Sequence, residues 1–170
     1  MATASSMALL LLACAVAAEE HDAALGRRLV LGTAKLKLVI PSEDWQVVEE
    51  RRRPDNSSVY YALVSQKRDL VFSFFIDGAT RCRTAEACRD LALANPAFIE
   101  GRNLVLSERG RFSVAAFSLH LSNNQPVKQT HLIAESFVGG IGVDVHVSRS
   151  GAVIPDTAPL YEFLDTISFE

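Results

Sequence analysis

The chain has 170 residues, 49% of them apolar, with a formal charge of -3 and an isoelectric point near 5.8. That is enough apolar material for the core of one domain, and two domains would be crowded in this length. The balance of charge speaks against a nucleic-acid binder, which carries a basic field.

The N-terminus reads as an export signal. Met7 to Ala18 (MALLLLACAVAA) is a short apolar run that ends in small residues and is followed by Glu19, Glu20, His21 and Asp22. This pattern suits cleavage after Ala17 or Ala18, so residues 1–18 are taken as a signal peptide. The run is too short to cross a bilayer as a helix, which needs about 20 residues. The first six residues contain no Lys or Arg, so the positive start rests on the terminal amine. An alternative lies in the same stretch: Leu11-Leu12-Ala13-Cys14 resembles the lipobox of bacterial lipoproteins. Cys14 would then be lipidated and the protein membrane-anchored; ordinary cleavage is the preferred reading. Either way the protein is expected outside the cytoplasm, in the periplasm or beyond the cell.

Residues 19–33 show little pattern and are expected to be a flexible lead-in to a single domain over 34–170. KLKLVI alternates and breaks at Pro41-Ser42-Glu43-Asp44, giving a strand and a turn. Trp45 is expected at the edge of the core. WQVVEERRR is the next strand, reversed at Arg53-Pro54-Asp55-Asn56-Ser57, where proline presets one dihedral and Asp and Asn tolerate the others. VYYALVS and LVFSFFI follow as strands around the turn Gln66-Lys67-Arg68-Asp69. The second is apolar on both faces, which predicts a central strand covered on both sides.

A helix is predicted from about Ala85 to Ala94, stopping at Asn95-Pro96 because proline disfavours helix in the residue before it. Thr84 is its N-cap. Cys82 and Cys88 flank this helix start in TRCRTAEACRD and form an even pair once Cys14 is removed or lipidated. A structural disulfide is the expected reading, because two cysteines without a nearby His make a poor zinc site. NLVLSE (103–108) is a further strand ending at Arg109-Gly110. Three β-segments then follow, RFSVAAFSLHLS, KQTHLIAESFV and IGVDVHVS, the last two joined by Val138-Gly139-Gly140-Ile141, a two-residue hairpin. A second helix starts near Thr157 to Pro159, with Leu160, Phe163, Leu164 and Ile167 on one stripe. Asn56-Ser57-Ser58 matches the N-glycosylation triplet, a frequent chance pattern. Basic residues cluster locally, at Arg51 to Arg53 and at Lys67, Arg68, Arg81, Arg83 and Arg89. A solvated face accounts for them more simply than phosphate or acidic-partner binding.

The three β-segments carry the one candidate site. Read with a period of two, they place His120, His131, Glu135, Asp144 and His146 opposite the apolar face. Hairpin parity sets Glu135 against Asp144, Ile133 against His146, and His131 against Ser148; His131 is expected beside His120 or Ser118 in the preceding hairpin. Facing carboxylates repel, so a cation, an arginine or solvation must offset them. Glu135, Asp144 and His146 are the possible metal ligands, but they are spread along the strands and convergence on one ion is not expected. Ser118, His131 and Glu135 have the residue types of a nucleophilic triad without a strained nucleophile turn or oxyanion loop, so no catalytic residue is assigned. No glycine-rich phosphate loop is present. The face is therefore read as a solvated or partner-facing surface.

Ile40-Pro41 to Trp45 and the ending Phe163-Leu164-Asp165-Thr166-Ile167-Ser168-Phe169, with the order of elements between them, resemble the PsbP-like and DcrB-like family. These are small α+β domains of thylakoid lumen, bacterial periplasm and lipoproteins. The resemblance covers about residues 35–170 and carries no catalytic motif. It implies an accessory, binding or chaperone-like role on a protein partner, with no enzymatic activity and no cofactor. The expected fold is α+β: an antiparallel sheet of about seven to eight strands packed with two helices in a PsbP-like sandwich. The alternative function is binding of a metal or small ligand by His131, Glu135, Asp144 and His146.

Overall fold

The computed structural model describes residues 28–170 except Glu43, Ala79, Arg81, Ile99, Asn123 and Asn124. The signal reading of residues 1–18, Cys14 and Arg81 lie outside the described residues. In chain order the elements are β1 (Arg28–Gly32), β2 (Lys37–Pro41), β3 (Gln46–Arg52), β4 (Ser58–Ser65), β5 (Leu70–Asp77) and α1 (Ala85–Leu93). A 3-10 turn (Pro96–Phe98) leads to β6 (Arg102–Arg109), β7 (Phe112–Ser122), β8 (Gln125–Val138) and β9 (Ile141–Ser150). α2 (Ala158–Leu164) and β10 (Ser168–Phe169) close the chain. Seven strands form one antiparallel sheet in the order β3-β4-β5-β9-β8-β7-β6, and β1, β2 and β10 form a second. The α+β expectation with two helices holds, with the second sheet as an addition. The end of the expected lead-in is not loose: Leu29, Val30 and Leu31 pair with Ile40, Val39 and Leu38. A run of three apolar residues is too short to show a period, and its partner strand fixes its conformation.

The second sheet and α2 cover one face of the large sheet and make the main core. Leu31, Leu38 and Ile40 meet Leu63, Phe72, Phe74, Val145 and Leu132 from below, and α2 adds Leu160, Phe163 and Leu164. Each such fully buried side chain stabilises by about 1.5–3 kcal/mol in transfer terms. α2 ends at Leu164, one turn short of the predicted stripe, and Ile167 packs on the core after the helix end. Trp45 sits at the margin as expected, its ring 4.9 Å from Phe163 and 5.7 Å from Phe72.

The opposite, outer face is covered only in part. α1 begins as predicted, with Thr84 accepting a hydrogen bond from the Ala87 N–H (3.1 Å). The Cys82–Cys88 disulfide ties the incoming chain to the first turn, with Cα atoms 5.1 Å apart. α1 lies over β7, β8 and β9. There Ala92, Leu93 and, from the 3-10 turn, Phe98 pack on Phe117, Leu119 and Ile133 as a second, smaller core. The predicted double cover of β5 does not hold. Val71 and Phe75 are 50% and 37% exposed on the outer face, while Leu70, Phe72, Phe74 and Ile76 are buried on the other. The cause is topological: β9 returns to pair with β5, and α1 crosses onto β7–β9, leaving β3–β5 open. The β8–β9 turn follows the glycine argument, with φ of 58° at Gly139 and 86° at Gly140, where a Cβ is strained.

Candidate functional site

The β8–β9 register is the one expected from hairpin parity: Glu135 faces Asp144, Ile133 faces His146, and His131 faces Ser148. The β7–β8 register differs. Phe117 stands opposite His131, and Ser118 pairs with Thr130 on the other face of the sheet. The Ser118 hydroxyl donates to the Arg102 carbonyl (3.3 Å), so the triad residue types do not meet. His120 is exposed and lines a hollow with Glu100, Gly101, Arg102 and Leu121, apart from the other four. The expectation that His131 lies beside His120 or Ser118 is corrected by a register shift between Leu119 and Leu121 and by aromatic packing: the Phe117 and His131 rings stack at 5.3 Å with an 8° interplanar angle.

The larger correction concerns solvent. The face was expected to be solvated or partner-facing. His131 and Glu135 are instead buried, and Asp144 and His146 are half-buried. α1 and the 3-10 turn lie over this part of the sheet, with the Phe98 ring edge-on to His146 at 5.4 Å. The Arg89 guanidinium donates to the Ser113 hydroxyl (2.8 Å), and Ser113 is the β7 neighbour of Glu135.

Two pairs result, with different chemistry. In the first, His131 Nδ1 and His146 Nε2 are 2.9 Å apart. Gln129 fixes the tautomers. Its amide nitrogen donates to the Ser150 hydroxyl (3.0 Å), which turns its Oε1 towards His131 Nε2 (3.3 Å). The His131 proton is then on Nε2, Nδ1 accepts, and His146 Nε2–H donates to it. This arrangement uses two neutral rings. Burial lowers the His131 pKa to about 4. Burial, with the repulsion of a charged His131, lowers that of His146 to about 3.

In the second pair, burial raises the Asp144 carboxyl to about 6. Burial, with the Asp144 charge beside it, raises Glu135 to about 9. Burial and mutual repulsion thus favour a proton retained within the Glu135–Asp144 pair, and this relieves the repulsion foreseen for facing carboxylates. Among the described residues no group of three or more His, Cys, Asp or Glu is arranged to hold a metal ion. The candidate ligands Glu135, Asp144 and His146 share a face without converging.

Sequence reasoning missed a different surface. The open outer face of β3–β5 shows Val71 and Phe75, with a hollow of about 440 Å³ lined by Arg51, Arg52, Arg53, Pro54, Ser58, Tyr60 and Phe75. The Arg51 guanidinium lies 4.6 Å over the Tyr60 ring. Each arginine also has an acidic neighbour, Glu49, Glu50 and Asp55 in turn. The available signal was the cross-strand pairing of Arg51 with Tyr60 and of Tyr60 with Phe75, which depends on a register that the turn lengths alone leave open.

No protein-family model and no curated protein sequence matches the chain. Among solved structures it is similar to a protein of Bacteroides thetaiotaomicron VPI-5482, with a TM-score of 0.55 and 14% identity over 85% of this chain and 48% of that one. The chain thus spans about half the length of that protein. It is also similar to the solution structure of cyanobacterial PsbP (CyanoP) from Synechocystis sp. PCC 6803, with a TM-score of 0.55 and 11% identity over 84% of this chain and 92% of that one. The likeness at this identity is one of fold, and the fold of the chain is PsbP-like.

Proposed function

We propose that the protein is an exported, non-enzymatic binding protein that engages a protein partner through the open outer face of β3–β5. One observation carries this reading: half of an otherwise covered sheet face is left bare, with Phe75, Val71 and Tyr60 beside three arginines. Aromatic and arginine side chains are the types enriched where binding energy concentrates at interfaces. Each arginine already has an acidic neighbour, so a partner segment with apolar and aromatic side chains fits the hollow best. The apolar N-terminal run and the disulfide support export. The PsbP-like fold is compatible with an accessory role on another protein.

A photocrosslinking phenylalanine analogue at Phe75, compared with one at the exposed Val153, tests this in native extract. The expected result is one partner band at Phe75, absent at Val153 and lost when Val71→Glu is added. Equal labelling at both positions, or turnover of ester or peptide substrates by the purified protein, would overturn it.

A further inference from the structure

The chain leaves the large sheet after β5 and returns to it at β6, and α1 with the 3-10 turn is the excursion between them. No strand pair of the sheet depends on that excursion: β5 is held by β4 and β9, and β6 by β7. Among the described residues its backbone hydrogen bonds are internal. The Cys88 N–H donates to the Thr84 carbonyl, Ala94 to Asp90, Asn95 to Ala92, Phe98 to Asn95, and Gly101 to Phe98. The disulfide is internal as well, since Cys82 and Cys88 both belong to this segment. Side chains bind it to the sheet: Ala92, Leu93 and Phe98 pack on the small second core, and Arg89 donates to the Ser113 hydroxyl (2.8 Å). Cys88 is the one buried residue of α1, and the main core lies on the other face of the sheet. A unit with so little buried apolar surface and no backbone link to its neighbours opens at a lower free energy than the whole domain.

The floor beneath this excursion is ionisable. Glu135 stands between Asp144 on β9 and Ser113 on β7, with His131 further along its own strand and His146 along that of Asp144. Beyond Ser113, Glu108 of β6 accepts from the Ser113 hydroxyl (2.8 Å). On the β5 side Phe75 adjoins Asp144 and Ser73 adjoins His146, neither of which titrates, and the Asp77 carboxylate accepts from the Ser58 hydroxyl (2.8 Å). From above come the uncharged Phe98 and, on α1, Glu86 and Asp90, both exposed. Arg89 is the one cation of α1, and it is already shared among Asp90, Ser113 and Glu108. A second negative charge on the Glu135–Asp144 pair therefore finds no cation of its own among the described residues while the pair is covered, and it is solvated only in water.

We propose that α1 and the 3-10 turn form a cover that lifts from β7–β9 as one unit, the seven-stranded sheet staying paired, when the Glu135–Asp144 pair takes on its second negative charge. Lifting lets water reach the pair and bares Phe117, Leu119 and Ile133. Through the Ser73–His146 and Phe75–Asp144 neighbours that surface is continuous with the open face of β3–β5, so the sheet then presents one uninterrupted outer face. The direction of the response follows from the proton. Covered Glu135 keeps it up to about 9, and in the lifted form releases it nearer the ordinary 4.5. The lifted form therefore gains as pH rises from about 7 to about 9, a range in which Asp144 and the histidines have largely finished titrating. The gain is roughly five- to ten-fold per pH unit. The response needs no partner at the open face.

Hydrogen exchange of the full chain between about pH 7 and about pH 8.5 tests the proposal, each amide rate being divided by that of the same amide in an unstructured peptide. The amides of Cys88 and Ala94 in the cover should open at least roughly ten-fold more readily than those of Phe72 and Phe74 in β5, and with a weaker urea dependence. Their opening should rise by roughly five- to ten-fold per pH unit in the wild type and stay level in Glu135→Gln. Asp144→Asn is the second variant: with no charge beside it, covered Glu135 ionises at lower pH, so the rise should level off earlier. Equal protection and equal urea dependence in the cover and β5, a cover whose opening ignores pH in the wild type, or a rise that persists in Glu135→Gln would overturn the proposal.

Discussion

Replacing Glu135 by Gln should flatten the alkaline side of the stability profile. Glu135 is buried, faces Asp144, and holds its proton up to about 9, against an ordinary value of 4.5. Above 4.5 the unfolded chain releases this proton while the folded chain keeps it. The folded state then binds more protons, and stability falls as pH rises towards the folded value. Between about pH 7 and about pH 8.5 the window is clean by linkage. Asp144, raised to about 6, and the two histidines, lowered to about 4 and about 3, have largely finished titrating there. A single group contributes at most about 1.4 kcal/mol per pH unit, and relaxation around a buried carboxylate lowers this to about 1. With a urea slope of about 2 kcal/mol/M, the wild-type midpoint should drop by roughly half a molar per pH unit. Glu135→Gln keeps the shape and cannot ionise, so its midpoint should stay level. Parallel curves for the two proteins across this window would refute a protonated Glu135.

Three other outcomes follow from the same geometry. On the acid side, below the ordinary carboxyl values, the depressed histidines dominate: their stabilisation is present above 6.5 and is lost as pH falls through their folded values. His146→Phe should make the acid limb shallower by about 1 kcal/mol per pH unit in urea melts, whatever its effect at neutral pH. Cys82→Ser with Cys88→Ser opens a loop with a sequence separation of 6, so about 2 kcal/mol should be lost, read as a lower thermal midpoint. Phe163→Ala removes a ring packed against both Trp45 and Phe72 and should cost about 3–5 kcal/mol, with a change in Trp45 fluorescence.

Much of the fold was legible because local chemistry and tertiary packing agree. Thr84 caps α1, Asn56 takes a positive φ in its turn, and the Gly139-Gly140 hairpin fixes every β8–β9 pair. Where the reading failed, the missing information was the identity of the layer above a strand. LVFSFFI has apolar residues on both faces, and this is the pattern of double burial. Its outer side is open because β9, not α1, is its neighbour, and a pattern along one strand does not register which strand returns beside it. The same limit hid β1, whose three apolar residues acquire an extended conformation only from Ile40, Val39 and Leu38.

The candidate site failed to be read as buried for the converse reason. A row of His, Glu, Asp and His at alternate positions has the period of a solvent face, and a covered polar face has the same period. What decides is α1, a short helix with Cys88 as its one buried residue, whose cover over the sheet is completed by Phe98 from the following turn and tied by the disulfide. Under that cover the imidazole pair stays neutral and the carboxyl pair keeps a proton, and the two pairs leave these forms in opposite directions. Acid charges the histidines, and alkali ionises Glu135. The two responses overlap from 6.5 down to the ordinary carboxyl values of 4.5 and 3.8, where protonating carboxyls stabilises the fold and protonating imidazoles destabilises it, so they largely offset each other. Outside that interval nothing opposes either one. The layer formed by α1 on β7–β9 is thereby held most firmly at mildly acidic to neutral pH, a property that resides in the burial of these four side chains.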